Sequence, residues 1–194
     1  MIPERARAPC YALPVPSAAP IRVNRAPVLM LWAAVVAERL GYPPETALTL
    51  GRFVAGSSAR AKERRLGMVE ETEETADRRA KRRETPAVLE RVRLLGREIP
   101  VVPGADGTLR AAEDGKAASA KSAAAYVSRA FGDRLADVRG AMEELAASMP
   151  REELNRIGFR LYEAFRPSVP EGVTGWGAKA ELRLDRIRQA GRYL

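Results

Sequence analysis

Histidine is absent from the 194 residues, cysteine occurs once, and aromatic residues make up 6%. The missing imidazole excludes His general bases, Ser-His and Cys-His nucleophile pairs and His-ligated metals. Cys10 alone can close no intrachain disulfide and build no cysteine zinc cluster, which is compatible with a reducing, cytoplasmic setting. No G-x-x-x-x-G-K-[ST] or G-x-G-x-x-G phosphate loop is present, nor a G-x-S-x-G, S-x-x-K or EF-hand pattern. Glu98, Asp106, Glu113 and Asp114 fall in a turn-rich stretch and offer a carboxylate pair in principle, but Asp-Gly turns use their acid for local backbone bonding. The acids from Glu70 to Asp77 supply no cage for a cation. The expectation is a protein without enzymatic activity, cofactor or metal.

What is present favours helices. The 46% apolar content is mostly Ala, Leu and Val, and the fold expected is mainly α, with two helical units and a small antiparallel β-meander between them. Residues 1–27 hold six of the 14 prolines and no periodic apolar face, and read as a disordered basic arm. Val28 to Ala37 is uninterrupted apolar sequence. It is too short to cross a bilayer, which needs about 20 residues. Arg22 and Arg25 ahead of it invite a signal-peptide reading, but it runs straight into Glu38-Arg39-Leu40-Gly41, an ordinary helix end. No membrane association is expected.

A second helix opens at Pro43-Pro44-Glu45, breaks or kinks at Gly56-Ser57-Ser58 and continues to Gly67, completing a three-helix unit over 28–67 in which Gly51 lets two helices approach closely. A charged linker follows over 68–87. Residues 88–118 read as the meander, with turns at Gly96-Arg97, Asp106-Gly107 and Asp114-Gly115. Residues 119–166 form the second helical unit, its helices opened by Ser119, Asp133 and Pro150. In the last two, Leu135, Val138, Met142, Leu145 and Met149, then Leu154, Ile157, Leu161 and Phe165, mark the inward faces. A Gly/Pro-rich tail with a short terminal helix occupies 167–194.

Charge is informative only by position, because abundant Arg, Ala and Gly are also what a GC-rich genome encodes. The net charge is +8; residues 86–118 and 119–149 are each neutral, whereas the chain up to residue 26, residues 27–69 and residues 150–194 carry +3 apiece. The candidate site is therefore Ser57, Ser58, Arg60, Lys62, Arg64 and Arg65. A helix start with free N–H groups and hydroxyls, followed by cations, suits phosphate. The competing account is a solvated helix face paired with Glu70 and Glu71. The spacing around Ala37 and Gly41 resembles a helix-turn-helix, yet the would-be recognition helix carries Ala47, Leu48, Leu50 and Phe53 and little polar surface for base edges. Trp176 between two glycines offers a stacking platform or, more simply, an anchor for the tail. Pro167 to Pro170 is a bare P-x-x-P, which a rigid helix exit explains equally well.

Leu31-Trp32-Ala33, the stretch from Ala47 to Gly51, and Gly175-Trp176-Gly177-Ala178-Lys179 resemble segments of small bacterial proteins of unassigned function, over residues 28–190. That resemblance implies no activity, ligand or residue role. The functional expectation is a sequence-tolerant nucleic-acid-binding module, with DNA or RNA as partner and the 57–66 helix as contact. The alternative is an interaction protein that dimerises or docks on a protein partner through the apolar helix 28–40.

Overall fold

The structure is a computed structural model that describes residues 19–65, 90–113, 115–172 and 179–192, with side chains described as far as residue 58 in the first range. Cys10, most of the 1–27 arm, the 68–87 linker, Asp114 and Trp176 lie outside the described residues. The protein is predominantly helical with a minor β part.

Helix α1, Arg25–Arg39, is the axis of the core. Every residue from Pro27 to Ala37 is buried, because an unbroken apolar run leaves the helix no polar side to turn to water. Pro27 is tolerated in the first turn, where an N–H has no helical acceptor to lose. At the other end Tyr42 N–H donates to Ala37 C=O at 3.1 Å and Gly41 N–H to Glu38 C=O at 2.9 Å, with Gly41 at φ +102°. This is the Schellman closure that the glycine makes possible.

Helix α2, Pro44–Arg65, lies against α1, and a Cβ on Gly51 would fall 2.4 Å from the Met30 carbonyl oxygen. The close approach anticipated at Gly51 is thus real and leaves no room for a methyl group. The helix runs unbroken through Gly56-Ser57-Ser58, so a two-helix hairpin stands where three helices were expected. The Ser57 hydroxyl donates back to the Val54 carbonyl at 3.0 Å, the bond a serine makes inside a helix and not at its start.

Strands β2 (Glu90–Leu94), β3 (Arg97–Pro103), β4 (Leu109–Glu113) and β5 (Lys116–Ala117) form an antiparallel meander in chain order. The first turn is at Leu95-Gly96, one residue earlier than expected, with both residues at positive φ, 51° and 73°. A leucine there costs about 1–3 kcal/mol of strain. Asn155 offsets it, its Oδ1 accepting from Leu95 N–H at 2.9 Å and its Nδ2 donating to Arg93 C=O at 3.1 Å. The Leu95 side chain fills the notch left by Gly158, where a Cβ would come within 2.4 Å of it. Two buried threonines fasten β4 to α2: Thr46 Oγ1 donates to Leu109 C=O at 2.6 Å, and Thr49 Oγ1 accepts from Ala111 N–H at 3.1 Å.

Helices α3 (Ala120–Phe131), α4 (Leu135–Ala147) and α5 (Arg151–Phe165) follow. Ser119 caps α3 by accepting from Ser122 N–H at 3.2 Å. Asp133 does not cap α4, which opens instead from a 3-10 turn, Gly132–Arg134. Val138, Met142 and Leu145 of α4 and Leu154, Ile157, Leu161 and Phe165 of α5 are buried, and both helices pack on α1. At the centre Trp32 is fully buried, donates Nε1–H to the Gly158 carbonyl at 2.7 Å and meets Phe165 edge to face at 5.4 Å. Helices from both halves of the sequence share this one hydrophobic cluster, so the layout of two helical units separated by the meander gives way to a single core around α1. The same burial consumes the apolar residues of 28–40 that were expected to receive a second chain: Leu31 is 1% and Trp32 0% exposed.

Finally β1 (Ile21–Arg22) pairs antiparallel with β6 (Glu181–Leu182), and helix α6 (Leu184–Gln189) closes on α4. Val23 N–H donates to Ala180 C=O at 2.8 Å. The end of the expected disordered arm is therefore built into the fold, because Ile21 and Val23 alternate inward and are buried. Ser168, inside the P-x-x-P, exchanges backbone hydrogen bonds with Glu181 at 3.2 and 2.9 Å, which ties that segment to the same ribbon. Among the described residues no helix is long and apolar enough to cross a membrane.

Candidate nucleic-acid interface

Of the six predicted contact residues, Ser57 and Ser58 are described and are already engaged. Arg97 donates to the Ser57 hydroxyl from NH1 at 2.6 Å and to that of Ser58 from NH2 at 2.9 Å. Its guanidinium also lies 5.7 Å from the centroid of the Phe159 ring, and burial lowers its pKa from the ordinary arginine value. The two serines therefore hold a structural arginine, and they offer no free helix start, because α2 is continuous there. The side chains of Arg60, Lys62, Arg64 and Arg65 lie outside the described residues. The helix-turn-helix likeness ends in a packed hairpin: Ala47, Leu50 and Val54 are fully buried, and Arg52 pairs with Glu113 at 2.9 Å.

A different basic surface emerges from the packing. A cleft of about 220 Å³ lies where the end of β1, the first turn of α1, the outer face of α3 and the approach to β6 meet, and Arg22, Asn24, Pro27, Tyr126, Arg129 and Lys179 line it. Each charged side chain points there for a local reason. Strand alternation that buries Ile21 and Val23 turns Arg22 outward. In α3, Ala120, Ala123, Val127 and Phe131 form the inward stripe, so Tyr126 and Arg129, three residues apart, stand together on the solvent side. Lys179 is exposed immediately before the buried Ala180.

Three cations and no acid line this cleft among the described residues. Among the described residues none of Arg22, Lys121, Arg129 and Lys179 takes part in an ion pair. Glu181 is the cross-strand partner of Arg22, but no ion pair joins them and Glu181 does not line the cleft. Helix α3 itself contains no acidic residue. Tyr126 is 43% exposed, its hydroxyl unbonded among the described residues, and Asn24, at the N-cap of α1, makes no side-chain capping bond. Cations, an accessible ring and unspent polar groups on one concave surface can hold phosphate and a planar group together.

The remaining candidates are otherwise engaged. A second, larger cleft of about 380 Å³ between the α1–α2 loop and the β3–β4 turn contains Tyr42, Thr46 and Asp106. Asp106 accepts from Thr108 N–H at 3.1 Å, which with Arg110 holds its carboxyl below the usual range, and Arg110 also pairs with Glu45 at 2.5 Å. Glu98 pairs with Arg91 at 3.2 Å, so the three described acids of the proposed carboxylate pair each face a different arginine. Among the described residues no three acidic or thiol groups converge on a metal position.

Charge summed over long blocks of sequence hides this cleft. Residues 119–149 sum to zero, yet all four of their acids follow Gly132 and both cations of α3 precede it. Counting helix by helix exposes the imbalance. The contribution of Arg22 and Lys179 had no local signal, since they reach α3 through pairing of strands at opposite ends of the chain. In comparisons with protein-family models, curated proteins and solved structures, the chain matches none.

Proposed function

We propose that this protein binds nucleic acid without strong sequence preference, through a basic surface centred on Arg22, Arg129 and Lys179 and extended along α3 by Lys121. The observation that carries this reading is the outer face of α3: two cations and an exposed tyrosine with no acid on the helix and, among the described residues, no ion partner, beside a cleft that Arg22 and Lys179 also line and no acid does. Unpaired cations beside polar side chains favour phosphates, whose neutralisation releases condensed counterions, and they read no base edges. The basic run Arg60 to Arg65 would lengthen the contact surface, with its cations as further phosphate partners.

The test is a salt titration of binding to labelled single strands and duplexes. Three cleft cations give a slope of log K against log salt of roughly −2 for a single strand. A slope near −5 would enlist the cations of the 57–65 helix as well. Binding that is absent at low salt, or indifferent to salt, overturns the proposal.

A further inference from the structure

Resting on that reading, we infer that the cleft is a single-strand subsite in which one unstacked base lies on the ring of Tyr126 while its flanking phosphates meet Arg22, Arg129 and Lys179. Three observations lead there. Tyr126 is one of two large apolar side chains exposed among the described residues, and its ring lines the cleft beside Arg129. Tyr162, packed near the start of α1, is buried and donates its hydroxyl to Arg25 C=O at 3.3 Å, whereas the Tyr126 hydroxyl has no partner among the described residues. An aromatic face left open on a charged concave surface is a stacking platform that any base can use.

Size and geometry select the ligand. At about 220 Å³ the cleft is smaller than the roughly 300–1,000 Å³ that encloses a small molecule. It therefore accommodates one unit of a chain that continues past it on both sides. In a duplex each base is already stacked and paired, and extruding one costs a few kcal/mol. A single strand presents its bases without that cost. Stacking distinguishes a nucleic acid from other polyanions, because an acidic peptide or polyphosphate satisfies the three cations and leaves the ring idle.

The experiment measures fluorescence anisotropy with the full chain and four labelled probes: a short oligothymidylate, an abasic deoxyribose-phosphate oligomer of the same length, a hairpin duplex and a polyglutamate. Tyr126→Ala is expected to weaken oligothymidylate binding by about tenfold and to leave the abasic oligomer unchanged, while Tyr126→Phe keeps wild-type affinity. The site is solvent-facing and alanine is a better helix former than tyrosine, so the variant folds. If oligothymidylate and the abasic oligomer bind equally, and both are lost in Arg22→Glu/Arg129→Glu/Lys179→Glu, polyanion association stands and base stacking is overturned. If polyglutamate or the duplex binds as tightly as oligothymidylate, the single-strand assignment is likewise overturned. If no probe binds, this inference and the nucleic-acid reading fail together.

Discussion

Helices α3 and α4 are neighbours in sequence and similar in length, and both bury one apolar stripe in the same core, yet their outer faces differ in kind. On α4 the charges are mutually neutralised. Arg139 bridges Glu38 and Glu143, Glu144 meets Arg188 at 2.8 Å, and Arg134, just ahead of the helix, meets Asp137 at 2.7 Å. On α3 the cations Lys121 and Arg129 have no acid on their own helix and no ion partner among the described residues. Exposed pairs contribute little to stability, typically below about 1 kcal/mol, but they cancel the field that a polyanion would sense. The difference teaches that the total charge of a segment says less about binding than whether each cation already has a partner.

The largest effect should come from destroying the unpaired face. Reversing Arg22, Arg129 and Lys179 together to Glu is expected to weaken single-strand binding by on the order of a hundredfold, at about 1 kcal/mol or more per site, with an unchanged melting temperature. Anisotropy titrations and thermal melts on the same samples check both halves. Equal loss on reversing Arg134 and Arg188 would erase the contrast between the two helices.

A second experiment compares the two tyrosines of α3 and α5. Burial pushes the Tyr162 hydroxyl up to about 12 from 10.0. The unfolded chain, with tyrosine near 10, loses that proton first, so the contribution is fully present below pH 10 and disappears as pH rises towards 12. It amounts to at most about 3 kcal/mol. Chemical denaturation between these limits should show a steeper alkaline decline for wild type than for Tyr162→Phe, whereas Tyr126→Phe should follow wild type.

Breaking the paired face should have the reverse signature. Arg139→Met strands Glu38, whose Oε1 is already buried without a partner, and is expected to cost about 1–2 kcal/mol of stability while leaving binding within about twofold. A melt that does not move would show the Arg139 bridge to be energetically idle. The smallest and sharpest change is Ala125→Glu. Position 125 is exposed and lies four residues from both Lys121 and Arg129, so a glutamate there can pair with either. It should stabilise α3 by roughly 0.3–0.5 kcal/mol and weaken binding about fivefold, making α3 behave like α4. Tighter or unchanged binding would argue against a role for this face.

Much of the local structure was legible. Ser119 and Gly132 marked the ends of α3, Gly41 the end of α1, and spacings of three and four residues gave the buried stripes of α4 and α5. The errors were local signals overridden by packing. Gly56-Ser57-Ser58 reads as a break, but Arg97 from β3 binds both hydroxyls and the helix continues beneath them. Leu95 is a poor residue for a left-handed turn, and Asn155 from α5 holds it there. The arm looked unstructured up to residue 27 because the partner strand of Ile21–Arg22 lies about 160 residues downstream by register. The candidate site shared that fate: its α3 half was readable from composition, and its Arg22 and Lys179 half was not.

By itself the sequence determined that the chemistry would be free of imidazole, that the chain would be mostly helical, and that Val28 to Ala37 had to be buried somewhere, since these follow from residue types and short-range periodicity. Only the tertiary structure decided what buries that segment, namely helices from both halves of the same chain, and which cations remain without a partner. The reason is physical: propensity acts over a few residues, whereas neutralisation and burial depend on distances in space, and strands from the two ends of the chain had to pair before Arg22 and Lys179 could share a surface with Tyr126.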